Sequence, residues 1–216
     1  MDIVLPEEPM RVSLVGYDPA SLSDWSAISV IQTDLAQSGS RSHCLTHLER
    51  FPMGTSYPDQ VARVKELMVE LQKAGDTWLV VDSTGLGRPI LDYLRNSGFP
   101  KQNVLGISIT GGTAIGRDQC GYTIPKRDLV SNAVVVLQSG KLKIAENLPL
   151  LSEMVQEMMN FKIKVSPRGH DSYEAWRESD HDDLVLATCL ALWCGENVRE
   201  RQKPRLIDSR GNVVDL

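Results

Sequence analysis

Apolar residues recur along this chain in two rhythms, and the order in which the rhythms change predicts an architecture. Arg11 to Tyr17 is a mostly apolar strand, stopped at Asp18-Pro19, a turn dipeptide. Ser26 to Thr33 is a second strand, rich in β-branched and small apolar residues. Ser40 to Phe51 alternates, with Cys44, Leu45, Leu48 and Phe51 among polar neighbours, and reads as a third. No helical period intervenes, so an antiparallel meander is expected. The rhythm then changes. Val61, Val64, Met68 and Leu71 fall on one helical stripe, starting near Pro58-Asp59 and stopping at Gly75. Thr77 to Val81 is a short buried strand, a helix follows through Ile90, Leu91 and Leu94 to Gly98, and Val104 to Ile109 is again a strand. Strand, helix, strand implies parallel pairing with right-handed crossovers.

Downstream, Leu129 to Leu137 reads as a helix broken at Gln138-Ser139-Gly140, and Lys141 to Ala145 as a short extended piece. Leu148 to Phe161 carries a helical stripe of Leu150, Leu151, Met154, Val155 and Met158, and Lys162 to Pro167 reads as extended. A last helix, Asp182 to Gly195, is apolar nearly all round and therefore buried. The expected fold class is α/β, a mixed sheet of an antiparallel meander plus parallel strands, flanked by helices. Residues 1–10 read as an extension, 11–196 as the domain, and 197–216 as a polar, loosely held tail.

Composition narrows this little. At 216 residues with 42% hydrophobic and 24% charged residues, the chain suits one globular domain rather than two or a disordered segment. The longest apolar run, Leu184 to Cys194, falls short of the roughly 20 residues that cross a bilayer. No basic segment followed by an apolar one opens the chain, so no secretory signal is expected. Cysteines at 44, 120, 189 and 194 form no paired spacing, which argues for reduced thiols. The net charge of −5 excludes a uniformly basic nucleic-acid binder. Charge is uneven, however: Arg117 to Arg168 holds eight basic residues against five acidic ones, a local region able to meet a polyanion.

Candidate chemistry lies at the ends of elements. Asp18 ends the first strand, Asp82 ends the first crossover strand, and Asp182 and Asp183 open the last helix. Each alone has a plain structural role: a turn cap, or an acid complementing a helix dipole. Together they would stand where α/β sheets bind ligands, outside the carboxyl ends of the strands. Four converging carboxylates repel unless a cation joins them, and oxygen ligands suit Mg²⁺ or Mn²⁺. Two such ions about 4 Å apart clamp a phosphodiester for in-line attack.

The order Asp18, VVDSTGLG around Asp82, and HDDLVLATCLALW resembles the nuclease domain of the tailed-bacteriophage terminase large subunit. GYDPASLSDWSAISVIQ, SITGG and IPKRDLVSNAVVVLQSGKLKIA agree with it, and the likeness spans about residues 11–195. The resemblance implies an RNase H-like fold, related to Holliday-junction resolvases, and an endonuclease that cuts concatemeric double-stranded DNA with two Mg²⁺ or Mn²⁺ ions. It implies that Asp18 is shared between the ions, with Asp82, Asp182 and Asp183 as further ligands. The implied partners are DNA, an ATPase motor, a portal and a small terminase subunit, with the host bacterial cytoplasm as the place. Many relatives carry a further acid where this chain has Leu186, one turn along the helix, which puts the second ion site in doubt.

The remaining candidates divide. His181 reads as a partner behind the acids or as part of the helix cap. Lys126, Arg127, Lys141, Lys143 and Arg168 are the candidate phosphate contacts; cations at a helix start gain nothing from the dipole, which favours that role for the first two. His43 and His47 are four apart, as in a helical metal pair, but their segment alternates as a strand does. Ser83 and Thr84 suit turn hydrogen bonds better than nucleophilic attack. The four tryptophans are not interleaved with basic residues as base-stacking platforms are. Two rival functions stay open: a resolvase-like nuclease on branched DNA, and an inactive module that binds DNA or a motor. No GxxxxGK[ST] phosphate loop occurs, so the chain reads as a lone nuclease domain or part of a longer terminase. The purified chain should therefore not hydrolyse ATP; phosphate release that scales with protein concentration would contradict this.

Overall fold

The computed structural model describes residues 10–21, 24–36, 39–85, 87–165, 181–197, 206–207 and 213–214. Strands β1 (Met10–Asp18), β2 (Ala27–Leu35) and β3 (Arg41–Arg50) form the expected antiparallel meander. Helix α1 (Tyr57–Gln72) follows, its first turn capped by the Ser56 hydroxyl, which accepts from the Asp59 N–H. Strand β4 (Asp76–Asp82) then pairs parallel with β1. Helix α2 (Gly87–Arg95) leads to β5 (Val104–Thr110), parallel to β4. Beyond it lie β6 (Gly116–Arg117), β7 (Gly121–Pro125), α3 (Lys126–Gln138), β8 (Leu142–Ile144), α4 (Leu151–Val165) and α5 (Asp183–Asn197). These strands make one mixed sheet in the order β6-β7-β5-β4-β1-β2-β3-β8.

Side chains alternate across this sheet, and each face has its own core. Val15, Tyr17, Leu79 and Val81 pack on one face with α1 and α2. Val12, Leu14, Val80 and Ile107 pack on the other, against α5. Residues Asp183 to Gly195 of α5 are all buried, which is what its unbroken apolar composition demands. The helix lies almost on the backbone of β1. A methyl group at Gly16 would stand 1.9 Å from the Ala187 carbonyl oxygen and 3.2 Å from the Ala191 nitrogen. Gly16 is thus what allows a helix and a strand to touch there.

Three expectations are corrected. Helix α4 continues to Val165 instead of giving way to an extended segment at Lys162. No Gly or Pro interrupts the sequence there. Strands β6 and β7 were not expected; two and five residues are too few to show a period. In the region read as a loose tail, β9 (Leu206–Ile207) pairs antiparallel with β10 (Val213–Val214). The four cysteines are free, as expected.

Gly16→Val should cost about 1–3 kcal/mol, the usual range for overpacking, because backbone rather than a flexible side chain blocks the new group. Urea unfolding measures it; an unchanged midpoint would mean that α5 does not lie this close to β1.

Candidate metal centre

Alternation decides where Asp18 and Asp82 point. Asp18 follows Leu14 and Gly16 on the α5 side of β1, and Asp82 follows Val80 on the same side of β4. Tyr17 pairs with Val81, so the two aspartates each come directly after the last pair of adjacent parallel strands. The Asp82 carboxylate accepts the Thr84 N–H at 2.8 Å, and the Thr84 hydroxyl accepts the Ile109 N–H at 2.8 Å, which fixes the loop onto β5. Gly87 permits α2 to start against the Asp82 carbonyl, where a methyl group would come within 1.9 Å. On the other side, α5 begins at this level and delivers Asp182 and Asp183.

The predicted acids therefore converge, and the carboxyls of Asp18, Asp82 and Asp183 are raised there. Burial, then Asp82, Asp182 and Asp183, push the Asp18 carboxyl well above the usual range, against the pull of Lys126. Burial likewise raises Asp82, opposed by its Thr84 hydrogen bonds and by Lys126. Burial raises Asp183 despite the neighbouring Arg50 guanidinium.

Two protein cations sit among these acids. Lys126 Nζ donates to Asp182 at 2.7 Å. Arg50 grips Asp183 with both prongs, Nε at 2.8 Å and Nη2 at 3.1 Å. Its Nη2 also donates to Glu157, whose second carboxylate oxygen accepts the Val185 N–H at 3.1 Å. Burial first, and then Asp183, push the Glu157 carboxyl up to about 8. Trp25 lies 5.3 Å from the guanidinium. Neither Arg50 nor Glu157 was foreseen. Glu157 is the buried acid that comes closest to offsetting Leu186, which packs into the apolar core instead.

Among the described residues, no three His, Cys, Asp or Glu side chains form a ready-made ion cage. The donor set nonetheless fits a hard divalent cation: every converging acceptor is a carboxylate oxygen, and their repulsion is what such a cation relieves.

The other candidates scatter. His181 is exposed, 3.6 Å from Asp24 and edge-on to Trp25. Lys126 is enclosed by the acids instead of facing an open groove. Arg127 beside it is half-exposed, donating to the Thr113 carbonyl at 3.3 Å. Lys141 and Lys143 do not border the acids. Lys143 pairs with Cys44, level with Ser13 three strands away, and Ser13 is itself about 17 Å along β1 from Asp18 at the usual strand rise. Lys141 is nearer the far end of α5, 3.5 Å from Glu196. Arg168 lies outside the described residues. Arg88, next to Gly87 and 55% exposed, donates to Asp118 at 3.3 Å. His43 is buried between the Thr33 hydroxyl (2.9 Å) and Glu196 (2.8 Å), and His47 pairs with Glu49, so they form no metal pair. Ser83 and Ser108 share a hydrogen bond at 3.0 Å, a structural link between β4 and β5.

A family model described as a terminase RNase H-like domain matches residues 15–193. The chain belongs to that family. The match covers the sheet from β1 to the end of the α5 core, and with it the RNase H-like, mixed-sheet architecture expected from the sequence. Among solved structures, the large terminase nuclease of thermophilic phage G20c is similar at 21% identity and a TM-score of 0.52, over 85% of this chain and 84% of that one. The human cytomegalovirus terminase nuclease domain, Mn soaked, gives 13% identity and a TM-score of 0.57, over 89% and 86%. A large terminase from another thermophilic bacteriophage gives 10% and 0.51, over 89% of this chain and 41% of that one. These likenesses concern the fold. Curated proteins yield no match. In the described part of this terminase domain, no helix is long and apolar enough to cross a membrane.

The raised carboxyls of this terminase domain fix the sign of its pH dependence without metal. A group whose folded pKa exceeds its unfolded value binds more protons when folded, so its stabilising contribution is complete below the unfolded pKa and lost as pH rises through the folded one. For Glu157 that window runs from about 4.5 to about 8, and Asp18, Asp82 and Asp183 act in the same direction. Melting temperature in chelator should fall from pH 5 to pH 8. A flat or rising profile would show that these acids are not crowded.

Proposed function

We propose that this domain is the DNA-cutting part of a phage packaging terminase, a metal-dependent endonuclease acting on concatemeric double-stranded DNA. The observation that carries the reading is the convergence of Asp18, Asp82, Asp182 and Asp183 at one end of the sheet, where burial and then the neighbouring acids hold the Asp18 carboxyl well above its usual range. Family membership supports the reaction class, and the Mn-soaked cytomegalovirus domain supports the class of ion. Asp18 would be shared between two Mg²⁺ or Mn²⁺ ions, with Asp82 on one side and Asp182 and Asp183 on the other. Such ions supply an activated water and stabilisation of the leaving 3′ oxygen.

The chain's own residues supply position and charge. The loop from Asp82 to Gly85, tied to β5, holds one wall of the site. Lys126 offsets part of the negative charge at Asp182, easing the approach of a phosphate to an acidic site. Arg88 and Arg127, exposed and next in sequence to Gly87 and Lys126, would meet the DNA backbone, which would make cutting largely indifferent to base sequence. Lys141 and Lys143, at the far end of α5, would touch DNA only if it ran along the whole sheet. An ATPase motor, a portal and a small terminase subunit complete the expected machinery, in the host bacterial cytoplasm.

The chain should nick or linearise plasmid DNA with Mg²⁺ or Mn²⁺ and not in chelator. Asp18→Asn and Asp82→Asn should each lower cleavage by more than about 100-fold, the upper range for losing a group that merely supports a ligand. Their melting temperature in chelator should hold or rise, since a crowded charge is removed. Asp183→Asn should abolish cleavage but melt earlier, because Arg50 loses its two-pronged partner. Variants at 18 and 82 that melt early and still cut would refute the assignment.

A further inference from the structure

We infer that Arg50 and Glu157 are positioning residues for the proposed centre: they hold the Asp183 carboxylate in one orientation before any ion arrives. This rests on the functional reading above and names residues outside its ligand set.

Three observations carry it. First, Arg50 is aimed by a break in its strand. Val30 pairs with His47 and Ile31 with Leu45, leaving Thr46 as an extra residue without a cross-strand partner. Leu45 and Leu48, three apart, consequently face the same core, and Arg50 joins them on the α5 side. Uninterrupted alternation from Leu45 would have turned Arg50 to the opposite face. Bulges of this kind commonly re-aim a side chain beside an active site.

Second, the grip fixes orientation. A planar guanidinium bonded to both carboxylate oxygens leaves Asp183 neither free rotation nor a choice of rotamer. Each oxygen retains a second lone pair, so the grip does not use up its capacity to bind an ion. Glu157 anchors Arg50 from the other side and satisfies the Val185 N–H, one of the donors that the first turn of α5 leaves unpaired. One acid from α4 thus fixes both the start of α5 and the group that orients its first residue.

Third, the arrangement is buried, with side-chain exposures of 15% for Arg50, 7% for Glu157 and 6% for Asp183. Buried ion networks are poor sources of stability compared with apolar packing. What this one supplies is direction.

Electrostatics alone predicts the reverse effect on metal binding, which makes the inference testable. A cation beside a ligand repels an incoming ion, so a mere counter-charge, once weakened, should allow tighter binding. A positioning residue, once altered, should allow only weaker binding. Arg50→Lys separates the two because it keeps the charge and removes the planar fork. Mn²⁺ affinity of the full chain and its variants is read by calorimetry, with melting in chelator as the folding control and plasmid cleavage as a second readout. Arg50→Lys should bind Mn²⁺ roughly 10- to 100-fold more weakly, as when a group behind a metal ligand is lost. Its kcat should fall while KM for DNA stays put. Arg50→Gln, which removes the repelling charge, should also bind Mn²⁺ more weakly, where electrostatics alone demands tighter binding, and it decides the matter if Arg50→Lys does not fold. Wild-type or tighter Mn²⁺ binding by the folded variants overturns the positioning role alone. A wild-type chain that takes up no Mn²⁺ overturns the functional reading beneath it.

Discussion

The contact between Gly16 and the backbone of α5 is the constraint on which the rest of this molecule depends. With no side chain at position 16, α5 descends until its carbonyl at Ala187 meets β1 directly. Asp18 lies two residues further along the strand, and Asp183 lies one helical turn before Ala187. The closeness of strand and helix therefore becomes the closeness of their acids. A larger residue at 16 would lift the helix and separate the carboxylates without altering any of them. The apolar surface of α5 drives the packing, and the glycine sets its distance.

Bringing the acids together creates an electrostatic problem that the protein solves internally. Asp18, Asp82, Asp182, Asp183 and Glu157 crowd one end of the sheet, and burial raises most of their carboxyls. Lys126 and Arg50 are the counter-charges. They come from opposite sides, one from the start of α3 and one from the end of β3, so each serves one of the two adjacent acids of the helix start. These cations offset part of the repulsion among the acids. Under the proposed function, the remaining excess of negative charge would be what draws a divalent ion.

Much of this was legible in the residue pattern. Short apolar and β-branched runs, and one alternating stretch, marked β1 to β5, helical stripes marked the helices, and the positions of Asp18, Asp82, Asp182 and Asp183 at element ends were visible without coordinates. What escaped has physical reasons. Arg50 was hidden because the bulge at Thr46 changes the phase of its strand; the only trace is Leu45 and Leu48 standing three apart where two or four was expected. Glu157 was hidden because its role depends on where α4 lies, and that follows a turn in which Asn147 and Leu150 adopt left-handed backbone at φ 56° and 62°. No residue type announces that turn; leucine is among the last expected there. The pairing of Lys126 with Asp182 was not visible, because charge patterning shows that a lysine is present and not that an acid distant in sequence lies beside it. Lys141 and Lys143 were grouped with it because they are near in sequence, although the chain carries them to the other end of the sheet.

Helix α5 is central in space and nearly last in order. On a ribosome the amino-terminal parts of a domain appear first. β1, β2 and β4 are made while one of their two apolar faces still has nothing to rest on, and Asp18 and Asp82 precede the two acids that complete their group by a hundred residues. A nascent chain halted before Asp182 thus has a sheet with an uncovered side and only two of these four carboxylates. Under the proposed function this order is a safeguard: the group of four acids is complete only once the start of α5 is made, and no truncated product of translation that stops short of α5 contains it.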